Sequence, residues 1–177
     1  MGIEVLLLVA VIAAAITDMR WRRIPNWLTV SAVVLGLVLN TLNAYPSPME
    51  GLWLAAKGFA LAFSLNLIMY VLRLTGAGDV KLMAAIGALV GCSDFVGIFL
   101  LNAIIGGVLG LVLVLAKGRA RQTLWNVGYL ASEMMQWRVP YLNREQLDIN
   151  NPKALTLPRA VPICLGVMVF LAMARTR

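Results

Sequence analysis

The chain is built from apolar runs, each close to the length of a bilayer crossing and separated from the next by only a few polar or turn-forming residues. The runs cover 2–17, 27–43, 51–74, 79–92, 95–116 and 160–174. Pro25-Asn26, Pro46-Ser47-Pro48, Gly76-Ala77-Gly78 and Gly91-Cys92-Ser93-Asp94 punctuate them where a helix should stop. With 61% hydrophobic and 13% charged residues and a mean hydropathy of +0.86, the composition lies outside the range of soluble domains of this size. The expected fold is all-α, a polytopic membrane protein with about six transmembrane helices in a single domain, 1–177. Glu4 stands where a signal peptide carries basic residues, and the Asp18 segment offers no small-residue cleavage site, so the first run is expected to stay in the protein.

Charge sets the expected orientation. With the Asp18 segment inside, the inner segments hold Arg20, Arg22, Arg23, Arg73, Lys81, Lys117 and the basic residues of 119–159, leaving Lys57, Arg175 and Arg177 outside. That asymmetry satisfies the positive-inside rule and puts both chain ends outside. The basic residues sit at membrane borders rather than along one soluble face, so the net charge of +7 does not point to nucleic acid. The chain has no histidine, and Cys92 and Cys164 lie in separate apolar runs without CxxC spacing. No metal and no cofactor is therefore expected, and histidine-dependent nucleophile chemistry is excluded.

Against this background two carboxylates stand out, Asp18 and Asp79, each at the edge of an apolar run. A carboxylate beside hydrocarbon costs several kcal/mol unless it is paired, hydrated or protonated, so it requires a reason. The topology puts the two at the same membrane face, although 61 residues separate them in sequence. The run from Asp79 to Ser93 spans roughly 22 Å against a hydrocarbon core of about 30 Å, which draws Asp79 below the surface or thins the bilayer there. Two such groups can share a proton, one acting as acid while the other activates water. Gly76 and Gly78, without Cβ atoms, are expected to allow unusual dihedrals and close approach of an extended substrate segment.

The bland alternative is that Asp79 caps a helix and Asp18 pairs with Arg22 one turn on. A proton- or cation-coupled transporter would use the same carboxylates, but it calls for an acid in the middle of an apolar run, and there is none. A Ser/Lys peptidase would use Ser64 with Lys57, yet these lie two helical turns apart, beyond direct hydrogen-bond reach. Glu4, Glu50, Asp94, Glu133, Glu145 and Asp148 read as solvated interfacial acids.

Two segments resemble the type IV prepilin peptidases, the GxGD membrane aspartyl proteases, and in particular their short Flp-type (TadV/CpaA-like) branch. One is Asp18 to Thr29, with the pattern D-x-R-x-x-x-I-P-N; the other is Gly76 to Gly91, which opens Gly-Ala-Gly-Asp-Val-Lys. Pro158 to Gly166 weakly resembles the family's last-helix segment. The resemblance implies a catalytic pair, Asp18 and Asp79, with Gly76, Gly78, Lys81, Pro25 and Asn26 shaping the site or binding substrate. It implies a prepilin or pseudopilin substrate, whose short basic leader is cut at the cytosolic face of a bacterial inner membrane. Pilus-assembly proteins are further implied partners beside the lipid bilayer.

Arg20, Arg22, Arg23 and Lys81 would oppose a basic leader unless they face lipid phosphates. Longer family members also methylate the new N-terminus and carry paired CxxC motifs; these motifs are absent here, so methyl transfer is not expected. The segment 117–158 instead intersperses Leu124, Trp125, Tyr129, Leu130, Met134 and Trp137 with polar residues, a spacing that suits an amphipathic helix on the cytosolic leaflet or a contact with pilus components.

Overall fold

The computed structural model describes residues 2–72, 74–118, 125 and 160–175. Their regular structure is entirely helical: α1 (Gly2–Trp21), α2 (Asn26–Asn43), α3 (Pro48–Val71), α4 (Ala77–Ala116) and α5 (Ala160–Arg175). The first four are long and apolar enough to cross a membrane, and α5 is a shorter apolar helix of 16 residues. The all-α, polytopic architecture read from the apolar runs is therefore the one observed.

Two boundaries differ from expectation. The first apolar run ends at Thr17, but α1 continues to Trp21, so Asp18 belongs to the last helical turn rather than to a loop. Met19, Arg20 and Trp21 tolerate helix, and the stop comes at Arg22, whose φ of 51° is the left-handed conformation that ends helices.

The second difference concerns α4, where two helices joined by a four-residue turn were expected. Helical hydrogen bonding resumes at once, and only Gly91 departs from helical dihedrals, at φ 80°, ψ −179°. A straight helix of 40 residues would measure about 60 Å, twice the hydrocarbon core, so the single glycine does the work of the turn. Glycine adopts this conformation without the penalty a Cβ would bring. Neighbours on either side of Gly91 show that α4 folds back on itself. Its first arm packs Gly87 against Gly58 and Ala62 of α3, and its second arm sets Gly97 against Phe170 and Gly106 against Pro162 of α5.

The break leaves polar groups that must be satisfied inside an apolar bundle. The carbonyls of Ala88 and Leu89, which would serve the turn beyond Gly91, instead accept hydrogen bonds from Asn40 Nδ2 of α2 at 3.1 and 3.0 Å. The same amide donates to Gly36 of its own helix at 2.9 Å. Asn40 thus fastens α2 to the α4 break.

Small residues line the contacts between helices. The buried positions of α3 are Gly51, Ala55, Gly58, Ala62 and Asn66, a stripe along one face. A Cβ at Gly58 would run into the Gly87 carbonyl, and one at Gly36 would stand 3.0 Å from the Ala88 backbone. On α1, Val5, Val9, Ile12 and Ile16 are exposed while Leu7, Val11 and the alanines Ala10, Ala14 and Ala15 are buried. Small residues at the α3 contact and exposed branched residues on α1 suit a bundle in lipid, where close backbone approach rather than water exclusion holds helices together.

Candidate active site

Four chain segments converge at one end of the bundle: the last turn of α1, the start of α2, the start of α4 and the start of α5. Each contributes a contact. Asn26, first residue of α2, accepts a hydrogen bond from Lys81 Nζ of α4 at 2.9 Å. Ile24, in the link before α2, lies against Gly78, where a Cβ would make ordinary contact at 3.5 Å. Asp18 Oδ2 accepts the backbone N–H of Ala160, at the start of α5, at 3.0 Å. The D-x-R-x-x-x-I-P-N segment and the Gly-Ala-Gly-Asp-Val-Lys segment are thus brought together, and the second meets the first through Lys81 on Asn26 and Gly78 on Ile24.

Asp79 is buried at the third position of α4. Its Oδ2 accepts the Gly76 N–H at 3.1 Å while its own N–H donates to the Gly76 carbonyl at 3.1 Å. This is the reciprocal pattern of a capping box, with a backbone oxygen standing in for the usual hydroxyl, because glycine has no side chain to offer. Asp79 therefore takes part in capping, from the third helical position rather than as the N-cap residue, which is Gly76. Asp18 is half-buried. Pro25 starts α2 from extended dihedrals (φ −64°, ψ 137°), which directs Asn26 across to Lys81.

The glycines play a different part from the one expected. Gly76 has φ −91° and ψ 156°, an ordinary extended conformation, and Gly78 is helical, so neither uses the left-handed region. Gly78 lies against Ile24, with space for a Cβ in ordinary contact. Sequence reasoning missed the Ala160 N–H altogether, since a backbone donor has no residue-type signature; the sequence shows only an apolar run beginning there.

Ser64 is exposed on α3 and hydrogen-bonds to the Ala60 carbonyl of its own helix. Among the described residues, no group of three or more Cys, Asp or Glu side chains gathers as a metal ion would need. The expected surface segment 117–158 lies outside the described residues except for Lys117, Gly118 and Trp125, all exposed. Pro158 is likewise outside them.

Comparison with known proteins agrees with the two segments. The model of the type IV leader peptidase family matches residues 5–111, which include Asp18 and Asp79 but not α5. A prepilin leader peptidase/N-methyltransferase of Xanthomonas campestris pv. campestris is 35% identical over 138 residues, covering 74% of this chain and 46% of the relative. The protein of the same name from Legionella pneumophila is 31% identical over 63% of this chain and 40% of its own length. A preflagellin peptidase of Methanococcus voltae is 32% identical over 84 residues, 47% of this chain and 36% of the relative. The chain thus spans less than half the length of these relatives. No solved structure matches. With more than half of its length matched by the family model, the chain belongs to the type IV leader peptidase family.

Proposed function

We propose that this chain is a membrane aspartyl endopeptidase that removes short basic leaders from Flp-type prepilins or pseudopilins, with Asp18 and Asp79 as its catalytic pair. The observation that carries the reading is the meeting of the two aspartate-bearing segments at one end of an apolar bundle, through Lys81 on Asn26 and Ile24 on Gly78. In each aspartate Oδ2 accepts a backbone N–H.

The chemistry follows from two carboxyls sharing one proton. The ionised carboxylate takes a proton from water as the water oxygen bonds to the scissile carbonyl carbon, and the protonated partner gives its proton to the carbonyl oxygen. Collapse of the tetrahedral intermediate breaks the C–N bond: one carboxyl gives its proton to the leaving amine while the other, now ionised, takes a proton from a hydroxyl of the intermediate. The pair ends with one proton, as it began. No cofactor is needed for any of these steps.

The charge asymmetry of the sequence supports a cytosolic face for this end of the bundle, with both chain ends outside, and the family resemblance supports a bacterial inner membrane. A substrate with a basic leader in the cytosol and an apolar segment in the bilayer offers its scissile bond at that depth. The proposal covers proteolysis alone. The transporter reading gains nothing from the structure, because both carboxylates sit at one end of the bundle rather than along a central path.

The test is cleavage of a Flp-like prepilin co-expressed with wild type, Asp18→Asn or Asp79→Asn, at matched abundance of the three proteins. Loss of processing in both variants is the expected outcome. Processing by either variant at the wild-type rate removes that residue from the pair.

A further inference from the structure

The hydrogen bond from Ala160 N–H to Asp18 Oδ2 joins groups 142 positions apart. It also reaches beyond residues 5–111, the part of the chain matched by the family model. We propose that the N-terminus of α5, through the Ala160 N–H, is the positioning group that holds Asp18 for catalysis. This inference rests on the peptidase reading above.

Three observations carry it. First, Asp18 sits in the last turn of α1, the negative end of that helix dipole, where a carboxylate is electrostatically disfavoured. The N-terminus of α5 brings a positive dipole end and an N–H that has no partner within its own helix. Asp79 has no such need, being in the first turn of α4 and held by a donor three residues away.

Second, Ala160 is fully buried, so the donor side of the bond is closed to water while the carboxylate it holds is half-buried, which favours a hydrogen bond to a carboxylate. Third, the position of the donor is set by tight packing further along α5. Pro162, Ile163, Cys164, Gly166 and Val167 are buried, and a Cβ at Gly166 would stand 3.1 Å from the Asn102 backbone nitrogen. The consequence is that α5 acts on the reaction without supplying a side chain to it. Asp79 carries its own support in its helix, whereas Asp18 depends on the docking of a distant one.

Proline is tolerated by the backbone at the first position of a helix, and it replaces the N–H with a ring carbon that cannot donate, which makes Ala160→Pro the direct test. The full chain is purified in lipid nanodiscs, and cleavage of a synthetic Flp-like prepilin is followed as kcat and KM separately. Ala160→Pro is expected to lower kcat by about 10- to 100-fold with KM within about twofold of wild type, since a misplaced catalytic group costs turnover rather than binding. Ala160→Gly retains the N–H and should recover most of that loss. Wild-type kcat in Ala160→Pro overturns the proposal.

Should Ala160→Pro fail to accumulate, Gly166→Ala decides the matter, because it shifts α5 against Asn102 while leaving every donor in place. A kcat reduced about threefold or more at unchanged KM then supports the proposal, and an unchanged kcat overturns it. Failure here is separable from failure of the peptidase reading. If Asp18→Asn and Asp79→Asn both continue to cleave, the reading itself falls, whatever Ala160→Pro does.

Discussion

Lys81 carries a charge that looks misplaced beside a site for basic leaders, and the structure gives it an occupation. Its ammonium donates to Asn26 and so ties the start of α2 to the first turn of α4. Both partners are exposed, which limits the contribution to stability to about 1 kcal/mol or less. The larger effect belongs to geometry. Lys81→Met and Asn26→Leu are each expected to reduce prepilin cleavage about tenfold, and the double variant little further, because both remove the same link. A double variant whose losses multiply would show that the two act separately. Thr75 presents the opposite case. Its Oγ1 is buried without a hydrogen-bond partner among the described residues, a cost of about 1–3 kcal/mol. Thr75→Val keeps the shape and removes the unpaired hydroxyl, so the thermal midpoint in detergent should rise or stay level; a clear drop would mean that the hydroxyl is bonded in the folded protein. The two aspartates stood out in the sequence because carboxylates are conspicuous in apolar surroundings, whereas Asn26 was singled out only through the family resemblance. The dihedrals of Gly76 were not legible there, since a glycine in sequence signals freedom without saying whether it is used.

At the scale of elements, the break in α4 shows how a helix ends within an apolar bundle without a loop. Gly91 turns the chain, and Asn40 of α2 takes over the carbonyls that the turn leaves unsatisfied. Asn40→Leu would strand two buried acceptors and should destabilise the fold by about 2–4 kcal/mol, read as a lower thermal midpoint. Asn40→Asp, which cannot donate when ionised, should be no better. Gly91→Ala faces the left-handed penalty of about 1–2 kcal/mol together with contact with Leu54. The sequence announced the interruption through Gly91-Cys92-Ser93-Asp94 but suggested a turn of four residues. One residue suffices because the neighbouring helix supplies the hydrogen bonds, which no reading of the α4 segment alone includes. The stripe Gly51, Ala55, Gly58, Ala62 and Asn66 was equally present in the sequence, at spacings of three and four. Its meaning as the α3 contact face emerges only once Gly87 is seen opposite it.

For the whole molecule, orientation is the property on which the proposed chemistry depends. With the site at the cytosolic face, a membrane-impermeant thiol reagent should label Ser47→Cys from outside intact cells and reach Trp21→Cys only after permeabilisation, in a background lacking Cys92 and Cys164. The reverse pattern would move the site to the outer face and exclude a leader held in the cytosol. The sequence by itself determined the class of the protein, because apolar runs of near-membrane length admit helices that satisfy their own backbone hydrogen bonds. It also determined the candidate residues, since a carboxylate at the edge of such a run is costly enough to stand out. Asp79 is held locally, by the N–H three residues before it, but tertiary structure alone decided how Asp18 is held, by the Ala160 N–H of a helix 142 positions away. The physical reason is that every residue except proline has a backbone N–H, so the donor carries no mark in the sequence; which one meets a given carboxylate is settled only when the helices pack.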